Sequence, residues 1–428
     1  MATDADQPQA GSMLPRLVIT AFATALAVAL APAASAQETS QDGAASYDDD
    51  TVIVSYRPQV DRPRALSLLD RVGVERTVER IASVDASVVR VEGDPAAVAE
   101  QLEASPKIAY AEPNVLFSAQ TPRKPNDASF ASLWGLRNAG QTGGRPGADI
   151  SAVKGWAEAK VANYPASGGA RVAIIDTGID RAHPDLVGKT VRCQEQILPV
   201  LRTGSCIDDT GHGTHVAGIL GAVADNGIGV TGVAFNSPLL VCRALGGSDQ
   251  TGRASDIAKC IQWAHAGGAR VISMSFAGGR SKTVHRAILG AWEGGRPGGS
   301  VLVAAAGNGG FNVAAYPAAH EEVISVASTN DHDRHASFSN SHRTVDVAAP
   351  GAGILSTYRG GGYTRLSGTS MSVPYVSGVA AQVRGLHPKW PASRIRKVVR
   401  RSADDLGKRG HDARYGFGRV NLARAARR

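Results

Sequence analysis

Apolar and polar positions change their pattern partway along the chain, and the change marks two units. The run Thr51-Val52-Ile53-Val54-Ser55-Tyr56 has the β-branched and aromatic composition of a strand, and Ser87 to Val91 and Ile108 to Ala111 read the same way. Arg64 to Val72 and Pro95 to Glu103 carry helical spacing. Together they predict a small α+β unit over about 50–117, followed by a linker at Thr121-Pro122-Arg123-Lys124-Pro125. From Ala170 onward, apolar runs at Val172 to Ile175, Leu239 to Ala244, Val271 to Ser275, Ser300 to Ala304 and Val323 to Ala327 alternate with helical stretches. Such alternation predicts a mainly parallel, doubly wound sheet with helices on both faces, a three-layer α/β/α architecture. Sites in this architecture form where strands end, and Asp176, Ser275 and Asn308 all lie at or just beyond strand ends. No internal repeat is present.

A third apolar run, Leu17 to Ala34, follows Arg16, and Ala34-Ser35-Ala36 supplies the small residues that a signal peptidase requires before Gln37. Residues 1–36 are therefore expected to be a signal peptide, and the product is expected to be secreted, extracellular or periplasmic. A membrane anchor is the competing reading because the run approaches bilayer-spanning length, but Pro32 and the Ala-rich end favour cleavage. Asp4 and Asp6 suit a signal n-region poorly, whereas a start at Met13 gives the compact Met-Leu-Pro-Arg. Four cysteines lie beyond this segment, an even number in a chain bound for an oxidising compartment, so two disulfides are expected. Of the three pairings, Cys193 with Cys206 and Cys242 with Cys260 each close a short local loop and are preferred. Zinc binding is disfavoured by the lack of a Cys-x-x-Cys pair or clustered histidines.

Composition narrows the function classes. A hydrophobic content of 43% with 20% charged residues is ordinary for a soluble globular protein, and 428 residues leave room for one large domain plus smaller pieces. Aromatic content of 5% argues against a stacking surface for nucleic acid, so no such partner is expected. The net charge of +8 is local: residues 381–428 hold 14 Lys or Arg against 3 Asp, and the remainder is slightly acidic. Arg394, Arg396, Lys397, Arg400 and Arg401 have helical spacing and read as a solvated helix face, with an acidic partner or membrane surface as the alternative.

The chemistry rests on three segments. A hydroxyl is a weak nucleophile at neutral pH, so a catalytic serine needs an imidazole to take its proton and usually a carboxylate to orient that imidazole. Val172-Ala173-Ile174-Ile175-Asp176-Thr177-Gly178 delivers a carboxylate off a strand, Gly211-His212-Gly213-Thr214-His215 an imidazole, and Ser367-Gly368-Thr369-Ser370-Met371 a hydroxyl. Ser370 is placed at the start of a helix running through Ser377 and Gly378, where free N–H groups favour a developing oxyanion, with Pro374 expected in the first turn. Gly368 lets substrate backbone approach closely. The bland alternatives are a helix-capping Ser370, a packed or metal-sharing His212–His215 pair, a capping Asp176 and a turn-forming Asn308-Gly309.

In the order Asp, His, Ser, these segments resemble the subtilisin family, continuously from Asn126 to the C-terminus, with thermitase-like members the nearest pattern. The resemblance implies a subtilisin-like peptidase domain over 121–428. Its triad would be Asp176, His212 and Ser370, with Asn308 donating to the oxyanion and His215 structural. It implies that Ser275-Phe276-Ala277-Gly278 and Ala305-Ala306-Gly307 line an extended cleft pairing with protein or peptide substrates. Neither segment carries an acid, so a neutral, mainly apolar preference is expected, with Ala315 shortening the pocket floor. The resemblance further implies a structural calcium site with side-chain oxygens of Asp127, Asp185 and Asn226 and carbonyls of Val223, Ile228 and Val230, the alternative being an ordinary Asn-Gly turn. Residues 37–120 then correspond to a propeptide that assists folding, inhibits the enzyme and is removed by self-cleavage between about Phe117 and Lys124. A monomer is expected. Ser372, Val373 and Tyr375 depart from residues common in relatives and bear on helix packing near the site. The rival functional readings are an inactive, protease-shaped binding protein, countered by the intact residue set, and an esterase, countered by the missing Gly-x-Ser-x-Gly elbow.

Overall fold

The computed structural model describes residues 47–58, 60, 69, 72–116, 123–161, 169–197 and 200–428. The signal-peptide run, most of the predicted helix from Arg64 to Val72 and the first two linker residues lie outside the described residues. The chain divides into two compact units, residues 1–119 and 120–428.

The first unit is a four-stranded antiparallel sheet of β1 (Tyr47–Tyr56), β2 (Val74–Ile81), β3 (Ala86–Val91) and β4 (Ile108–Val115) in the order β2-β3-β1-β4, with the helix α1 (Pro95–Glu103) between β3 and β4. Asp94 caps α1 by accepting from the Ala96 N–H at 3.1 Å, and Pro95 occupies the first helical position, where its missing N–H costs nothing. Val98, Ala99 and Leu102 of α1 are buried with Val52, Val54 and Val89 of the sheet. Strand β2 was not foreseen: it reads Val-Glu-Arg-Thr-Val-Glu-Arg-Ile with its six interior residues exposed, so it carries no alternation for a sequence pattern to register.

The second unit holds the expected three layers. Its strands are β5 (Val172–Asp176), β6 (Thr190–Ile197), β7 (Val200–Thr203), β8 (Leu239–Arg243), β9 (Val271–Met274), β10 (Val301–Ala305), β11 (Val323–Thr329) and β12 (Val347–Pro350), in the order β12-β11-β10-β9-β5-β8-β6-β7. All pair in parallel except β7, which returns antiparallel along β6, and a separate hairpin is formed by β13 (Ile354–Tyr358) and β14 (Gly362–Leu366). The helices are α2 (Ala152–Glu158), α3 (His212–Gly221), α4 (Ala254–Ala266), α5 (Lys282–Trp292), α6 (Thr369–Leu386), α7 (Ala392–Arg401) and α8 (Leu422–Ala426). Because side chains alternate across a strand, Val172 and Ile174 of β5 enter the core shared with α3 and α6, while Ala173 and Ile175 enter the core shared with α4 and α5. A strand buried on both faces is apolar throughout, which is why the runs were readable.

Both preferred disulfides form, Cys193 to Cys206 and Cys242 to Cys260, with Cα–Cα distances of 5.4 and 5.7 Å. The first ties β6 to the loop that precedes His212; the second ties β8 to α4. Loops of 13 and 18 residues place each at about 3 kcal/mol on a chain-entropy scale. The basic helix α7 departs from a simple solvated face. Arg396 and Arg400 turn toward buried Asp346, at 3.6 and 3.1 Å, and Arg394 stacks over Trp390 at 3.7 Å.

Candidate active site

Three neighbouring strands, β5, β9 and β10, end side by side, and the chain changes its direction of progress across the sheet between β5 and β9. A crevice outside the strand ends is the natural result. Asp176 is the last residue of β5, Ser275 the first beyond β9, and Ala305 closes β10 ahead of Ala306-Gly307-Asn308. Two helices begin there as well: α3 at His212 and α6 at Thr369, one residue before Ser370. The fold thus gathers all four predicted catalytic residues from segments far apart in sequence.

Asp176 is fully buried and its Oδ1 accepts from the Thr177 N–H at 2.8 Å and from His212 Nδ1 at 2.6 Å. Burial pulls the His212 pKa down, but the Asp176 charge and hydrogen bond more than offset this, and the net shift is upward from the ordinary histidine value. The backbone on either side of His212 is held by a residue that sequence reasoning missed. The buried carboxylate of Asp208 accepts from the N–H groups of Gly211 and Thr214, each at 2.8 Å, and from the hydroxyls of Thr177 and Thr214 at 2.9 and 2.6 Å. Burial would raise the Asp208 pKa, yet these donors bring it below the usual carboxylate value. Thr177 also accepts from Gly213 N–H at 2.9 Å, so one hydroxyl couples the end of β5 to the start of α3. The available signal was Asp208-Asp209-Thr210-Gly211 directly before an apolar helical run, a helix-start composition. His215 is buried and donates through Nε2 toward the carbonyls of Ile354 and Thr364 at 3.0 and 3.2 Å; burial lowers its pKa to about 4.

The Ser370 hydroxyl donates to the Ser275 carbonyl at 2.8 Å. Its amide is among the first four N–H groups of α6, which have no intrahelical acceptor. Asn308 is fixed by Thr369, whose N–H and hydroxyl both donate to Asn308 Oδ1 at 2.8 Å, so Nδ2 is the end left to donate outward. A Cβ placed on Gly368 would sit 3.3 Å from Asn308 Nδ2 and 3.7 Å from Ser370 N, filling the space both donors face. Gly368 therefore keeps the space beside both donors open. Pro374 requires a correction. Because α6 starts at Thr369, Pro374 is its sixth residue, in the second turn rather than the first, and its missing N–H deprives the Ser370 carbonyl of the usual i+4 donor.

Beside these groups, Ser275-Phe276-Ala277-Gly278 runs antiparallel to Tyr316, with Gly278 N–H donating to the Tyr316 carbonyl at 2.7 Å and the reverse bond at 3.1 Å. A groove of about 470 Å³ lies along it, walled by Phe276, Ile257, Val284 and Tyr316. Asp249 also reaches this groove, accepting from Thr251 at 3.1 Å; it comes from the loop after β8 and was invisible to a reading restricted to the two cleft segments. Ala305, Ala306 and Gly307 are buried, and Ala315 lies opposite Gly307, its Cβ 3.4 Å from where a Cβ on Gly307 would stand.

Asp127 and Asp185, both buried, meet on the loop 223–230. Asp127 Oδ2 accepts from Asp225 N–H and the Thr231 hydroxyl at 2.8 and 2.9 Å; Asp185 Oδ2 accepts from Val230 N–H and the Tyr363 hydroxyl at 2.7 and 3.0 Å. Among the described residues neither carboxylate forms an ion pair with Lys or Arg, and Asp127 Oδ1 is buried with no hydrogen-bond partner. Asn226 presents its Nδ2 to Asp185 Oδ1 at 2.9 Å, so its amide must turn to offer oxygen. No group of three His, Cys, Asp or Glu is clustered for a metal among the described residues.

Residues 167–418 match the subtilase family and residues 33–114 the fervidolysin N-terminal prodomain. The chain is 35% identical over 380 residues to a thermophilic serine proteinase of a Bacillus species, covering 88% of this chain and 87% of that protein. It is 40% identical over 258 residues to thermitase of Thermoactinomyces vulgaris, covering 60% of this chain and 88% of that protein. A solved protease from Pseudoalteromonas arctica superposes with a TM-score of 0.61 at 30% identity, over 71% of this chain and 99% of that one. With the subtilase match covering more than half of the chain and a relative aligned along most of it, the chain belongs to the subtilase family as a serine endopeptidase preceded by an N-terminal prodomain.

Proposed function

We propose that the protein is a secreted, autoprocessed zymogen that cleaves peptide bonds with Ser370 as nucleophile, His212 as general base and Asp176 as orienting carboxylate. The observation that carries the reading is the 2.6 Å bond from His212 Nδ1 to a fully buried Asp176, which fixes the tautomer and frees Nε2 to accept a proton. The Ser370 hydroxyl leaves the Ser275 carbonyl and turns to Nε2 as substrate binds, in keeping with catalytic hydrogen bonds that tighten only in the Michaelis complex. The Oγ–carbon bond forms as the hydroxyl proton passes to Nε2. Collapse of the tetrahedral intermediate breaks the C–N bond, and His212 returns the proton to the leaving amine. Water then attacks the acyl-enzyme by the same route and releases Ser370. Asn308 Nδ2 and the Ser370 N–H, facing the space that Gly368 keeps open, stabilise the oxyanion.

The base must be neutral to act, so kcat/KM falls as pH drops through the His212 pKa. Since Asp176 raises that pKa, the acid limb is expected to have its midpoint above the ordinary histidine value of about 6.5. A pH profile of kcat/KM on a neutral peptide measures it; a midpoint below that value contradicts the role given to Asp176.

The apolar groove walls of Phe276, Ile257, Val284 and Tyr316, with Asp249 engaged by the Thr251 hydroxyl, and the acid-free segment Ala305-Ala306-Gly307 support a broad, neutral or apolar substrate preference. Peptide libraries are expected to return cleavage after varied uncharged residues; strict cleavage after Arg or Lys would overturn this. The N-terminal unit is assigned the role of folding assistant and temporary intramolecular inhibitor, with processing within 117–124.

Two buried carboxylates without a cationic partner, one with an orphaned oxygen, suit a hard cation, and we assign structural calcium to Asp127, Asp185 and Asn226 with the carbonyls of Val223, Ile228 and Val230. Bound there, the ion would neutralise both carboxylates and tie the loop 223–230 to the segments carrying Asp127 and Asp185. A chelator is then expected to lower the Tm by at least several degrees, restored by calcium, and an unmoved Tm would remove the site.

A further inference from the structure

The turn that carries Asn308 contains Gly307, Gly309 and Gly310, three residues with the widest backbone freedom, so the turn does little to fix its own shape. Its order comes from Asn340, a residue on the connection between β11 and β12 with 6% exposure. Asn340 makes four hydrogen bonds to this one turn. Its main-chain N–H donates to the Gly307 carbonyl at 2.8 Å, and its Nδ2 donates to the Ala306 carbonyl at 3.0 Å. Its Oδ1 accepts from the N–H groups of Gly309 at 3.0 Å and Phe311 at 3.2 Å. The bonds bracket Asn308 on both sides without touching its side chain. The side-chain share needs a donor and an acceptor on one planar group, which a carboxylate or a hydroxyl does not supply in this arrangement.

The surroundings are built to admit this amide. Gly307 has φ +100°, and a Cβ there would stand 2.5 Å from Asn340 Nδ2. Asn340 is itself anchored to the sheet, because the Ser339 hydroxyl donates to its carbonyl at 3.2 Å while accepting from the N–H of Ser328 on β11 at 3.0 Å. Thr369 grips Asn308 Oδ1 from the α6 side, and Asn340 sets the backbone from which that side chain projects.

We propose that Asn340 is a positioning residue for the reaction: it templates the turn 306–311 and so places Asn308 Nδ2 where the oxyanion forms. The inference rests on the assignment of Asn308 as oxyanion donor. It acts on the transition state, because the donor meets charge only once the tetrahedral intermediate develops.

A double-mutant cycle in kcat tests it, using Asn340→Ala, Asn308→Ala and the double variant on one neutral peptide. Misplacement of an otherwise intact donor is expected to lower kcat by about 10- to 100-fold, with KM within about twofold. In the Asn308→Ala background the same substitution is expected to change kcat by less than about twofold, since no donor remains to be placed. Asn340→Asp keeps the acceptor for the Gly309 and Phe311 amides and is expected to recover part of the loss. It also carries the cycle should Asn340→Ala fail to fold. A residue that merely supports the fold would cost the same in both backgrounds, and that result, or an Asn340→Ala enzyme with wild-type kcat, overturns the proposal. Wild-type kcat in Asn308→Ala alone would instead remove the oxyanion assignment and the proposal with it.

Discussion

Ser370→Ala is expected to abolish peptidase activity and to leave the purified precursor uncleaved. The variant removes the hydroxyl proposed to attack the scissile carbon while sparing the helix start, since the Ser370 amide remains and the turn is still held by Thr369 on Asn308. Subtilisin itself provides the magnitude, about 10⁶-fold in kcat for loss of the nucleophile, so the figure is carried over from that case and not obtained from the geometry here. Peptide turnover and gel analysis of the precursor separate two claims. Retained turnover would remove Ser370 as nucleophile. Normal processing of an otherwise inactive purified variant would leave the nucleophile in place and remove self-cleavage.

Asp176→Asn is expected to lower kcat by about 10⁴-fold, a size taken from triads of the trypsin and subtilisin kind. Asp176 Oδ1 already receives two N–H donors, from Thr177 and His212, so the substituted amide can keep only its oxygen there. Its NH₂ then replaces Oδ2, an atom that is buried without any partner, and becomes a buried unsatisfied donor. More important for turnover, the imidazolium that forms during attack loses its counter-charge. The same loss removes the cause that raises the His212 pKa, so the acid limb of kcat/KM is expected to move to lower pH even as the plateau falls. A variant with near-normal turnover, or one whose limb stays in place, would remove Asp176 from its assigned role.

Much of this site is legible in sequence because the chemistry sits on regular elements. Asp176 ends a strand whose five residues are all buried, and Ser370 starts a long buried helix, so apolar runs locate both. Pairing Cys193 with Cys206 and Cys242 with Cys260 follows from loop length because short loops close most readily. What escaped has the opposite character. β6 buries Gln194, Glu195 and Gln196, polar residues that mask a strand, and β2 is an exposed polar edge. Asp208 and Asn340 act through hydrogen bonds to backbone, and Thr369 through its bonds to Asn308 Oδ1, all between segments brought near only by the fold, and single polar residues carry no periodicity to reveal that. The second-turn position of Pro374 was missed for a related reason. Helix boundaries depend on which residue first adopts helical geometry, and Gly368 and Thr369 set that locally.

The central claim is that one hydroxyl, activated by His212 and Asp176, performs the peptide cleavage. Labelling the processed enzyme with a fluorophosphonate, mapping the adduct by peptide mass spectrometry and following casein digestion in parallel tests it most directly. The account predicts a single adduct on Ser370, formed with simultaneous loss of casein digestion and absent in His212→Ala. An adduct on another residue, or full digestion of casein by protein labelled at Ser370, would contradict it.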